Sequence, residues 1–116
     1  MFNVKIIGAD KNQGPVGAGK DTLVVGSAQL YGIYAFNSST TTDYFLQVFD
    51  SATVPADGAT PELVYPLTKG TNQQLQFGDG YVFAAGIYVC ASTTSKTKTI
   101  ATTNDVILQV NYRVMG

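Results

Sequence analysis

The chain reads as all-β: one antiparallel β-sandwich of jelly-roll or Greek-key type, with about seven to nine strands. Three observations point there. Apolar residues recur at every second position in several segments, the period of a strand with one face buried. Seven Tyr and six Phe accompany many β-branched residues, a composition suited to pleated, half-buried surfaces. Clusters of Gly, Pro, Asn, Asp and hydroxyl residues separate these segments at intervals of about 8 to 15 residues, near the rhythm of a sandwich. No stretch holds a 3.6-residue apolar period long enough to predict a helix.

Taken in chain order, Phe2, Val4 and Ile6 alternate with Asn3 and Lys5, which predicts a first strand with one wet face. DKNQGPVGAGKD (10 to 21) follows, carrying Gly14, Gly17, Gly19 and Pro15. It has little capacity for an internal core. A single domain over 1–116 is therefore expected, with 1–21 as an extended N-terminal arm or loop. TLVVG (22 to 26) is β-branched and suits extended chain rather than helix. LYGIYAF (30 to 36), DYFLQVF (43 to 49) and GYVFAAGIYVCA (80 to 91) are apolar or small on both alternation faces. Between them Leu63, Tyr65 and Leu67 form one alternating set, and Leu75 and Phe77 stand against Gln74 and Gln76. The cleanest strand is VILQVNYRV (106 to 114), with Val106, Leu108, Val110, Tyr112 and Val114 on one side. NSSTTT, PADGATP, GDG, STTSKTKT and TTND are the expected connectors.

Strands apolar on both faces are covered on both faces, whereas a sandwich of this size has one face of each sheet in water. Phe45 and Phe49 share a face with Gln47, and Tyr44, Leu46 and Val48 share the other. One set is expected to leave the monomer core and meet a neighbouring chain, which makes Tyr34, Phe36, Phe45, Phe49 and Tyr88 the candidate subunit interface. The alternative is a molecule so curled that its own chain covers both faces.

Composition excludes much chemistry. The chain has no His, no Trp, one Glu (Glu62) and one Cys (Cys90), so it can build neither a Ser-His-Asp nor a Cys-His arrangement, nor a His/Cys metal site. Its seven Asp do not fall in calcium-loop spacing. No enzyme activity, catalytic residue, cofactor or metal is expected. A net charge of −1, with only Arg113 and six Lys as cations, leaves no basic footprint for nucleic acid. The N-terminus MFNVKIIGADKN has no apolar run of signal-sequence length, and no stretch is apolar enough for a membrane span. A soluble protein made in a reducing cytoplasm is expected, with Cys90, inside IYVCA, as an inert buried thiol.

GPVGAGKDT (14 to 22) imitates a nucleotide-binding loop. Gly14, Gly19 and Lys20 occupy the first, sixth and seventh places of G-x-x-x-x-G-K-[ST], but Asp21 stands where a Mg²⁺-ligating hydroxyl is needed. Thr22 comes one residue late, and TLVVG cannot supply the helix whose N-terminus would hold phosphate. A Gly-rich loop is the expected reading. The seven Tyr could stack on sugars, and Tyr81 beside Asp79 is the pair that would mark a glycan-binding module.

The runs LYGIYAFNSSTTTDYFLQVFD, PADGATPELVYPL and FGDGYVFAAGIYVCASTTSKT together resemble a group of small structural proteins of tailed-bacteriophage virions. In that group an aromatic strand ending in Asn precedes a YFLQVFD-like strand, a Pro and Gly turn, and a later strand closed by Ser-Thr-Thr. The resemblance covers roughly residues 29 to 99. It implies a β-sandwich decoration or cement protein on the capsid exterior, usually trimeric, with itself and the major capsid protein as partners. The corresponding location is the virion. A tail, neck or fibre-base position is the near alternative, and a glycan-binding adhesion module the alternative of another class. Phe2, Val4, Lys11 and Lys20 become candidate capsid contacts of the N-terminal arm, because a segment that folds on binding can wrap a large surface.

Overall fold

The computed structural model describes residues 3–7 through their backbone, and residues 21–102 and 105–115 in full. The described residues form eight strands: β1 (Asn3–Ile7), β2 (Asp21–Val25), β3 (Ala28–Asn37), β4 (Tyr44–Asp50), β5 (Leu63–Leu67), β6 (Asn72–Phe83), β7 (Gly86–Ser92) and β8 (Val106–Val114). No helix occurs among the described residues, and so no helix there is long and apolar enough to cross a membrane. The strands form two four-stranded sheets ordered β1-β8-β3-β6 and β2-β7-β4-β5.

All pairings are antiparallel, and four of them are nested: β1 with β8, β2 with β7, β3 with β6, and β4 with β5. The chain is thus one long folded hairpin centred on the β4–β5 connection. It wraps on itself through two further pairings, β3 with β8 and β4 with β7. Nested hairpins closed in this way make a jelly roll. The topology confirms the sandwich expected from the alternation and specifies its strand order.

Between the sheets lies one core. Leu30, Ile33 and Ala35 from β3 and Val106, Leu108 and Val110 from β8 meet Leu46, Val48, Ile87 and Val89 from the other sheet. These residues are almost fully withdrawn from solvent, and each large aliphatic side chain so placed contributes about 1.5 to 3 kcal/mol. The period-two pattern of β8 therefore predicted its inward side chains correctly, except that Val114 runs past the core and is exposed.

Two segments differ from the sequence reading. GYVFAAGIYVCA is two strands rather than one: β6 ends at Phe83, β7 starts at Gly86, and the chain bends at Ala84 and Ala85. The Asp50 carboxylate causes the break, accepting the backbone N–H groups of Ala84 at 3.2 Å and Ala85 at 2.9 Å. Gly86 is required there, since a Cβ would stand 2.5 Å from the carbonyl oxygens of both Ser51 and Val24. GDG, expected as a connector, lies inside β6. The β3–β6 register steps from Leu30↔Tyr81 to Gly32↔Gln76, so β6 carries extra residues there, and Gly78 and Gly80 absorb them at φ of 56° and 106°. An insertion of this kind bends a strand without ending it.

Of the expected arm, Asn3–Ile7 is an edge strand of the first sheet, running from Asn3 opposite Tyr112 to Ile7 opposite Leu108. Val4 stands opposite Asn111. Phe2, Lys11, Lys20 and the segment GPVGAGK lie outside the described residues.

Candidate functional site

The two sheets turn very different outer faces away from the core. On the β2-β7-β4-β5 sheet, Tyr44, Leu46 and Val48 of β4 point inward, which sends Phe45, Gln47 and Phe49 outward. Tyr88 and Cys90 of β7 join Phe49 in a second apolar cluster on that outer side, with Leu23, Ala59 and Ile100 packed against it. Phe49 is 4% exposed and Tyr88 1%, their rings meeting edge to face at 5.8 Å.

The chain itself provides the cover. Residues 51–61 and 93–100 fold across this face and are joined by backbone bonds from Gly58 N–H to Lys98 O, 2.7 Å, and from Lys98 N–H to Ala59 O, 2.8 Å. Lys98 is 4% exposed. Its ammonium donates to Pro55 O at 2.6 Å, sits 5.2 Å from the centre of the Tyr88 ring and lies 3.7 Å from Asp57 Oδ1. A buried cation is tolerable only with such partners. Gln47, also fully buried, donates from Nε2 to the carbonyl oxygens of Thr94, Ser95 and Thr97 at 2.9, 3.2 and 3.0 Å. The Tyr88 hydroxyl donates to Asp21 Oδ2 at 2.7 Å, and burial raises the Tyr88 pKa well above its ordinary value. Burial likewise pushes the Cys90 thiol up to about 12, so it is a protonated, free thiol inside the fold.

The expectation that a neighbouring chain covers Phe49 and Tyr88 is corrected by this geometry. Both residues belong to the monomer's interior, closed over by the chain's own loops, and neither offers a surface to a partner. Phe45 stays half-buried on the same side, placed between Ser92 on β7 and Pro66 on β5. The opposite sheet keeps the other two candidates in view. Inward Ile33 and Ala35 leave Tyr34 and Phe36 on its outer face, half-buried. Phe36 stands opposite Ile107, which is 36% exposed.

Next to this apolar end the outer face becomes rich in amides. Tyr34 stands between Gln74 on β6 and Gln109 on β8, and Gly32 between Gln76 and Asn111. Gly32 has no side chain to fill the space between its neighbours, and could not have one, because a Cβ would stand 2.9 Å from Leu75 O. The result is an open groove of about 360 Å³ lined by Tyr34, Gln74, Gln76, Gln109 and Asn111. Nothing in the local sequence pattern marks these amides as a site. Their period-two spacing was legible, but their convergence depends on β6, β3 and β8 being neighbours.

The pair proposed for sugar stacking is arranged otherwise. Tyr81 packs against the core with its ring between Phe77 and Phe83, at 6.1 and 5.1 Å. Its hydroxyl donates to Glu62 Oε2 at 2.8 Å, a bond that raises its pKa. Asp79 falls in the irregular part of β6 rather than in a loop beside an exposed ring. Among the described residues no three of His, Cys, Asp and Glu gather to hold a metal ion. Asp21, the residue that spoils the nucleotide-loop pattern, opens strand β2.

No family model matches the chain, and no curated protein matches it. Among solved structures, the Tobacco streak virus coat protein is similar at a TM-score of 0.44 and 10% identity, over 100% of this chain and 90% of that one.

Proposed function

We propose that this chain is a non-enzymatic structural protein of a virus particle, specifically one that decorates or cements the capsid exterior of a tailed bacteriophage as a trimer. The observation that carries the reading is the inequality of the two sheets. One outer face is sealed by the chain's own loops, while on the other Phe36 is half-buried beside Ile107, which is 36% exposed, an apolar pair of the kind that meets another subunit. The resemblance of residues 29 to 99 to small phage virion proteins supports it. So does the jelly roll, an architecture used in viral capsids as well as in lectins, although a fold by itself assigns no function. In this reading the partners are further copies of the chain and the major capsid protein, no cofactor takes part, and symmetry multiplies weak contacts into a stable shell. The protein is made in the host cytoplasm and ends in the virion.

The test is the copy number per purified particle, measured by mass spectrometry against the major capsid protein. Hundreds of copies in a simple ratio to that protein are expected. A dozen or fewer would move the chain to the tail, neck or fibre base, and absence from particles would overturn the virion reading.

A further inference from the structure

We infer that the groove on the outer face of the β1-β8-β3-β6 sheet is a binding site for an uncharged saccharide, with Tyr34 as its aromatic wall and Gln74, Gln76, Gln109 and Asn111 as its hydrogen-bonding groups. The inference does not rest on the virion reading, which uses the Phe36 and Ile107 end of this face, whereas the site uses the amide-lined end.

The first observation is that these amides are uncommitted. Elsewhere the chain ties its Gln side chains down: Gln47 to three carbonyl oxygens, Gln73 to Pro66 O at 2.7 Å, and Gln29 to the Tyr31 hydroxyl at 2.9 Å. Among the described residues no hydrogen bond engages the side chains of Gln74, Gln76 or Gln109, and Asn111 Oδ1 is buried without a partner. The carboxamides of Gln74, Gln76 and Gln109 present both donors and an acceptor, the complement of a sugar's vicinal hydroxyls.

The second observation is charge. Among the described residues no Asp, Glu, Lys or Arg lines the groove. An anionic ligand would find no cation there, and an apolar one would strip water from four amides without replacing their hydrogen bonds. An uncharged, hydroxyl-rich ligand meets both conditions.

The third is backbone closure. β3 is paired on both sides, with β6 and with β8, so the floor of the groove offers no free ladder for an extended peptide, whose docking relies on main-chain bonds at a sheet edge; the near edge of this sheet is the outer side of β6, beyond the floor. Recognition here falls to side chains. The register irregularity at Leu30/Gly32 and the bare Gly32 let a ring approach the backbone closely, a recurrent use of strand glycines and bulges. The groove's volume of about 360 Å³ is at the small end of ligand sites and suits one or two sugar rings.

The experiment is an NMR titration of the whole ¹⁵N-labelled chain with glucose, galactose, mannose, N-acetylglucosamine, lactose and cellobiose, with N-acetylneuraminate as the charged control. At least one neutral sugar should bind with millimolar affinity and shift amide signals at residues 32–34, 74–76 and 109–111. Gln76→Ala and Tyr34→Ala should each weaken that binding about tenfold. Gln76 is exposed, so its variant should keep the parent's urea midpoint and report on binding even if Tyr34→Ala folds poorly. No shift with any neutral sugar would overturn the inference, as would shifts elsewhere, indifference to both variants, or preference for the charged control. If the groove signals instead move with protein concentration alone, the face is an interface between copies and the saccharide assignment fails.

Discussion

Lys98 shows how much one residue holds in this fold. Its ammonium is the junction between Pro55, Asp57 and the Tyr88 ring, so Lys98→Ala should cost about 2 kcal/mol, the loss of a charge-assisted hydrogen bond in a buried setting. Asp57 is 55% exposed on its side chain, and Asp57→Asn keeps the acceptor that Ile100 N–H uses at 3.2 Å. That variant should cost no more than about 0.5 kcal/mol. Urea denaturation of the two variants checks the contrast, and equal losses would show that the ion pair rather than the Pro55 bond matters. Cys90 gives a pH prediction. Its folded pKa, raised from 9.0 to about 12, means that below pH 9 the thiol is protonated in both states and imposes no penalty. Above that, the unfolded chain loses the proton while the folded chain retains it, so stability falls as pH rises towards 12. The slope from this group approaches about 1.4 kcal/mol per pH unit, and Tyr88, raised for the same reason, adds to it at higher pH. Thermal melts from pH 8 to 11 should show the decline, and a thiol reagent at pH 8 should label Cys90 only after unfolding.

Among elements, β4 is where local pattern and tertiary need diverge. Alternation separated Tyr44, Leu46 and Val48 from Phe45, Gln47 and Phe49, and the structure turns the first set inward. The outward side was read as a subunit surface because it is apolar, and proved to be the foundation for two loops. Gln47 is the link between them and the strand: Gln47→Leu would fill the space but strand three carbonyl oxygens. An expected loss of about 2 to 3 kcal/mol, with new protease cleavage within residues 93–99, would identify it as the anchor, whereas unchanged protection would not. The turn between β6 and β7 is still less forgiving. Gly86→Ala puts a methyl against two backbone carbonyls, neither of which can move without shifting a strand, and should cost about 3 kcal/mol or more by the same denaturation assay.

At the scale of the whole molecule, every nested pair but β4–β5 depends on residues far apart in sequence, and β1 with β8 joins residues 3–7 to residues 108–112. Such topology folds slowly, because loop-closure entropy is spent before distant contacts form. Placing Asn3–Ile7 in the sheet also changes how an arm is to be tested, since deleting residues 1–21 removes an edge strand as well as a tether. The open face offers a cleaner probe of assembly. Phe36→Asp with Ile107→Asp alters two outward residues and leaves the inward core untouched. It should weaken self-association or particle binding at least about tenfold by sedimentation while preserving the far-ultraviolet spectrum of the monomer, and undiminished assembly would place the contact elsewhere.

The amino-acid sequence alone determined the β class, the inward side chains of β5 and β8, and the absence of histidine chemistry. These follow from local period, composition and spacing, which do not depend on neighbours. Only the tertiary structure decided that Phe49 and Tyr88 are covered by the chain's own loops, that GYVFAAGIYVCA bends at Asp50's carboxylate, and that Tyr34 and four amides from β6 and β8 share one groove. An apolar outward face requires a cover, and the pattern that reveals the requirement is the same whether the cover is another chain or a loop fifty residues away. Burial is a property of what folds against a residue, and that is set by the order in which strands pair.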